Sequence, residues 1–168
     1  HEIPLYNIRG IDTEEVTAAI MRLKRNKAPG PDGREPNAYK ILPETTHNTI
    51  RATMNRWWQD KKVPPTLTHA RVISIYKKGN PEDPENYRPL SLLNTMYKIY
   101  AIIIRSRIDS GLQYALTRFQ YGFRPGHSTA EPIFCLRRMI AYLERGDGDG
   151  IILFIDWEKA FDKLYQYR

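Results

Sequence analysis

Over the first third of the chain, apolar residues recur at helical spacing. Val16, Ala19, Ile20 and Leu23 follow three- and four-residue steps, and Asp12 with Glu15 forms a capping-box pattern just ahead of them. This predicts an amphipathic helix over residues 13–25. "NKAPGPDGREP" breaks it with three Pro and two Gly, an ordered turn or loop rather than a long linker. A short helix from Asn37 to Leu42 follows. A longer one comes after Pro43, with Ile50, Met54, Trp57 and Trp58 as its apolar face; that spacing favours core packing over base stacking for the two tryptophans.

The period then changes. "ARVISIY" (70–76) is β-branched and partly alternating, a predicted strand. "KKGNPEDPENYRP" is a turn-rich loop, and "LLNTMYKIYAIIIRSRI" a helix with Tyr97, Ile99, Ile102, Ile103 and Ile108 largely buried. "FQYGFRPGHST" is a loop whose end caps a helix at Ser128 or Thr129; that helix runs through Ile133, Leu136 and Ile140 until "RGDGDG" stops it. "IILFI" (151–155) is continuously apolar, as in a strand interior to a sheet, and a helix is expected from Trp157 onward. The whole reads as α+β, with helices outnumbering strands.

Length and composition narrow this. At 168 residues the chain is about one domain, and 41% hydrophobic residues suffice for a packed core. The longest apolar candidate, Tyr97 to Ile104, falls well short of the ~20 residues a membrane span needs. The first residues carry no signal-peptide pattern and do not begin with Met, so the chain reads as a piece of something longer. The single cysteine, Cys135, is expected to be a buried core thiol in a reducing, intracellular compartment, nucleus and cytoplasm both fitting. The net charge of +7 is concentrated: residues 61–138 hold 13 Lys or Arg against 5 Asp or Glu. Such a region suits a polyanionic partner, most simply nucleic acid.

Three places carry candidate chemistry. Asp156 sits at the junction of the apolar strand and the following helix, where it either holds a cation or caps the helix. Asp162 lies six residues on and need not face the same way; it reads as structural, and Glu158 and Lys159 as solvated helix surface. Lys77 and Lys78 end one strand, and Arg88 lies just before the next element. They form either a phosphate clamp or a charged hairpin tip. Arg124 lies in a glycine-containing turn before a helix start, which suits phosphate contact or a tight turn. His127 has no nucleophile to pair with and is assigned no chemistry.

Taken in order, "NKAPGPDG", "YKKGNPEDPENYRPLSLL", "QYGFRPGHST" and "FIDWEKAFD" resemble the reverse transcriptase domain of non-LTR (LINE-type) retrotransposons, across residues 13–162. The resemblance implies the fingers and partial palm of a right-hand polymerase, helix-rich with a small antiparallel sheet. Residues 1–150 would be the fingers with a helical N-terminal extension, and 151–168 the first palm strand and the start of the next helix. It implies DNA synthesis from deoxynucleoside triphosphates on an RNA template and DNA primer, with Mg²⁺.

Asp156 then matches the first metal-binding aspartate and the Trp157 carbonyl a further metal ligand. Phe161 matches the aromatic gate against ribonucleotides, and Lys77 and Arg88 the residues that contact the triphosphate. Gln120, Gly122, Phe123 and Arg124 match a block near the template and nucleotide pocket. Tyr76 stands where the family commonly has Pro. No Asp-Asp pair occurs in the 168 residues, so the polypeptide by itself is expected to be inactive. The alternative is a repurposed non-catalytic module that binds nucleic acid or serves an assembly. In either case the 151–155 strand predicts an exposed apolar edge needing a partner.

Overall fold

The computed structural model describes residues 7–146 and 148–157. It separates into two compact units, His1–Ala115 and Leu116–Arg168.

The first unit begins with α1 (Thr13–Arg22), which starts where the capping box predicts. Asp12 Oδ1 accepts from the Glu15 amide at 2.7 Å, and Glu15 accepts from the Asp12 amide at 3.2 Å. Together they satisfy two amides that the first turn leaves without helical partners. After the Pro/Gly loop come α2 (Pro36–Lys40), α3 (Glu44–Asp60) and the single turn α4 (Pro65–Thr68), which the sequence reading lacks. Strands β1 (Ala70–Tyr76) and β2 (Tyr87–Leu93) pair antiparallel, followed by α5 (Thr95–Ala115). α1 packs against α3 and α5. Val16 and Ile20 meet Ile50, Met54 and Trp57 from α3 and Ile99 and Ile103 from α5 in one buried cluster. Trp57 stands edge-on to Tyr100 at 5.5 Å. Trp58 is half-buried beneath the guanidinium of Arg107, 5.1 Å from its ring centre.

Arg107 ties the chain's beginning to this core. Its side chain is 5% exposed and grips both Glu15 oxygens at 2.6 and 2.7 Å. It also donates to the carbonyls of Asn7, Arg9 and Gly10. A buried guanidinium costs little only when its donors are occupied, and here acceptors surround it. The same pairing holds the Glu15 carboxyl below its ordinary value.

The Pro/Gly loop is fastened to the base of the hairpin. A Cβ on Gly30 would lie 2.5 Å from the Asn94 nitrogen and from the Leu93 carbonyl carbon, so backbone touches backbone there. Asn94, 2% exposed, accepts from the Asp32 amide at 3.1 Å and donates to the carbonyls of Thr66 and Leu67. Thr95 donates to Arg34 O, and Arg71 of β1 to Pro29 O. One asparagine thus joins loop, α4 and the start of α5.

The second unit holds α6 (Ala130–Arg145). Ser128 rather than Thr129 supplies its capping side chain: the Ser128 amide donates to Glu131, and its hydroxyl accepts from the Ala130 amide.

Several expectations are corrected. Residues 87–93 form a strand, whereas they read as loop and helix start. Residues 151–157 take no regular structure, because an apolar run becomes a strand only against a hydrogen-bonding neighbour and none pairs with it among the described residues. Cys135 is exposed, on a helix with no buried residue. Ile108 is 41% exposed rather than buried. The helix expected after Trp157, with Glu158, Lys159, Phe161 and Asp162, lies outside the described residues. Among the described residues, no helix is long and apolar enough to cross a membrane.

Candidate nucleotide and nucleic-acid site

The β1–β2 hairpin positions the first pair of candidate residues, Lys77 and Arg88. Ile75 lies opposite Arg88, and the Lys77 amide donates to Asn86 O at 2.8 Å, carrying the ladder one residue past β1. Side chains alternate between faces, so Lys77, two residues beyond Ile75, shares a face with Arg88. Both are exposed, and neither forms an ion pair among the described residues. Arg88 therefore lies within β2, not ahead of the next element. Its fork and the Lys77 ammonium can address adjacent phosphates.

The opposite face stiffens the tip. Tyr76 and Tyr87 pack edge-to-face at 5.6 Å; their hydroxyls donate to Gly79 O (2.6 Å) and Pro81 O (2.9 Å). Tyr76, where the resembled family commonly has Pro, thus takes part in the tip's own bonding. Within the turn Asn86 donates to Asn80 O and to Asp83, and Gly79 takes φ +96°. A turn so cross-braced holds its two cations in register. A cavity of about 1090 Å³, lined by Arg34, Tyr39, Trp57 and Asn94 among others, lies beneath the Pro/Gly loop instead of at these cations. It belongs to the helical core's edge.

In the second unit, residues 117–129 form a chain of turns. Gln120 donates to Gly122 O at 3.1 Å, Arg124 to Thr117 O at 3.2 Å, and the His127 amide to Arg124 O. Phe123 adopts φ +60° with 90% of its surface exposed, and Gly126 φ +79°. A non-glycine residue at such a φ is held against its own preference by the surrounding turns. His127 contacts Glu131 at 3.0 Å, which with the Ser128 amide keeps that carboxyl below its ordinary value. That contact joins the loop to the first turn of α6.

Asp156 and Trp157 are both exposed, Trp157 at 79%. Among the described residues no three His, Cys, Asp or Glu side chains converge as a metal site. Asp156 and the Trp157 carbonyl offer two oxygens, where Mg²⁺ takes six in an octahedron. These residues do not by themselves fit a complete magnesium centre, and no chemical step follows through one. Phe161 lies outside the described residues. The anchoring residues Gly30, Arg71 and Asn94 escaped the sequence reading; the glycine between two prolines in "APGPDG" was the one local signal of a close approach.

The described residues thus present two cations on one face of a braced hairpin and, further along the chain, an apolar run ending in an aspartate. Residues 75–166 match the reverse transcriptase (RNA-dependent DNA polymerase) family, and the chain belongs to it. The relatives it matches include RNA-directed DNA polymerases of non-LTR retrotransposons. It is 32% identical over 161 residues to the probable RNA-directed DNA polymerase from transposon BS of Drosophila melanogaster, covering 94% of this chain and 18% of that protein. Identity is 28% over 161 residues to the RNA-directed DNA polymerase from mobile element jockey of Drosophila melanogaster, with the same coverage. It is 32% over 154 residues to the probable polymerase from transposon X-element, covering 90% of this chain and 17% of that protein. The chain thus spans about a fifth of the length of the relatives it matches.

Proposed function

We propose that this chain forms the fingers, residues 1–150, and the first palm segment, residues 151–168, of a retroelement's RNA-directed DNA polymerase. Lys77 and Arg88 hold the incoming deoxynucleoside triphosphate, neutralising phosphate charge as it transfers. Gln120, Gly122, Phe123 and Arg124 border the template and nucleotide pocket, and Phe161 gates against ribonucleotides. Asp156 and the Trp157 carbonyl contribute to a Mg²⁺ set that substrate phosphates and further carboxylates complete. An RNA template and a DNA primer are the expected partners.

The observation that supports this most is the register placing Lys77 and Arg88 on one face of a braced hairpin, in a chain of the reverse transcriptase family. The 168-residue polypeptide is expected to extend no primer, since two-metal chemistry needs more carboxylates than Asp156. Primer extension by a longer protein containing this stretch tests the assignment. Asp156→Ala must abolish it, and normal extension by that variant overturns the role given to Asp156.

A second reading is a non-catalytic module acting within an assembly. It draws support from the apolar run at 151–155, where Ile151, Leu153, Phe154 and Ile155 are each more than 70% exposed. A protein partner covering that run is then expected.

A further inference from the structure

Away from the hairpin tip, a cleft of about 370 Å³ opens between the C-terminal end of α1 and the outer side of α5. Its floor includes Leu23 and Ile102, and its rim carries Arg22, Lys24, Lys98 and Arg105. Four cations meet here because two acid-free stretches do: residues 16–31 and 86–108 contain no Asp or Glu. Among the described residues, the carboxylate that touches a rim cation is Asp109, in an exposed pair with Arg105 at 3.3 Å, while Arg22 donates to Ser106. The cleft includes Leu93, at the base of the hairpin. Lys77 stands seven residues along from Leu93's partner Ala70, about 23 Å away at strand rise.

We propose that this cleft is a second nucleic-acid contact, separate from the triphosphate clamp, that takes the backbone of a single strand. A cationic rim attracts a phosphodiester chain, and an apolar floor can be reached by unpaired bases or sugars but not by bases stacked in a duplex. The lining contains no aromatic side chain, so stacking adds little and binding is insensitive to base identity. Affinity there is carried by counterion release and falls steeply with salt. The proposal does not depend on the polymerase assignment.

The test is fluorescence anisotropy of the 168-residue chain with a fluorescein-labelled twelve-nucleotide oligouridylate, titrated at several NaCl concentrations. Lys24→Gln with Lys98→Gln is expected to weaken binding about tenfold at low salt and to flatten the slope of log K against log salt by about 1.4, two contacts at about 0.7 each. Lys24→Arg with Lys98→Arg must retain binding, and circular dichroism must show both variants folded. The same change must appear when Lys77→Gln and Arg88→Gln are already present, which separates this cleft from the clamp. An unchanged slope overturns the proposal. So does equal affinity for a duplex of the same length, or binding to phosphatidylserine vesicles without binding to the oligonucleotide.

Discussion

Replacing Gly30 with alanine probes how the hairpin is held to its helical base. The added Cβ would lie 2.5–2.6 Å from three backbone atoms of Leu93 and Asn94, where ordinary contact begins near 3.4 Å. Backbone cannot swing aside as a side chain does, so loop and junction must separate by nearly 1 Å. The Asp32–Asn94 bond, now 3.1 Å, then passes beyond hydrogen-bonding range, and the Thr95–Arg34 bond at 2.8 Å is stretched with it. Overpacking costs about 1–3 kcal/mol and each lost bond about 1 kcal/mol. Reduced freedom of the unfolded chain returns about 0.4–1 kcal/mol. The expected net loss is about 2–4 kcal/mol, read as a lower urea midpoint with unchanged slope.

Gly33→Ala serves as the control. That position has φ +69° and open space around it, so only backbone strain of about 1–2 kcal/mol is expected. Gly30→Ala as stable as wild type, or no worse than Gly33→Ala, would refute the docked loop.

Two further perturbations address the helical core. Glu15 has its carboxyl lowered from 4.5 first by hydrogen bonding to Arg107, so its stabilisation is present above that value and lost as pH falls below it. Urea midpoints measured from pH 6 down to 3 should fall for wild type, and Glu15→Gln should be less stable at pH 6 with a shallower fall. His47 is buried, with Nδ1 3.0 Å from the Thr17 hydroxyl and Nε2 without a partner among the described residues. Thr17→Val strands the whole imidazole and should cost about 1–3 kcal/mol by denaturant titration.

The elements readable in advance were those whose signals are local. The capping box set the start of α1, β-branched alternation set β1, and long apolar periodicity set α3 and α5. β2 escaped because Pro89 interrupts it and "SLL" continues into the helical pattern. Pro89 is tolerated there because β2 is an edge strand among the described residues, facing β1 on one side. The strand expected at 151–155 shows the converse, since apolarity describes an environment that only a pairing neighbour supplies. Cys135 misled for a related reason: thiols are usually buried, yet α6 buries none of its residues among those described.

For the candidate site, the motifs pointed to Lys77 and Arg88, but only the Ile75–Arg88 register shows that they share a face. The loop's docking was beyond reach, because Gly30 meets residues more than 60 positions away. Nothing within "APGPDG" encodes that distance.

Photolabelling with the γ-azidoanilide of deoxyadenosine triphosphate, whose azide lies at the phosphate end, tests most directly whether Lys77 and Arg88 grip a triphosphate. Label should enter the 70–93 hairpin and be displaced by excess deoxythymidine triphosphate but not by the monophosphate. Each charge-assisted contact contributes about 1.5–3 kcal/mol, so Lys77→Gln with Arg88→Gln should reduce labelling at least tenfold. Undiminished labelling in that variant, or labelling indifferent to the phosphate count, would contradict the account.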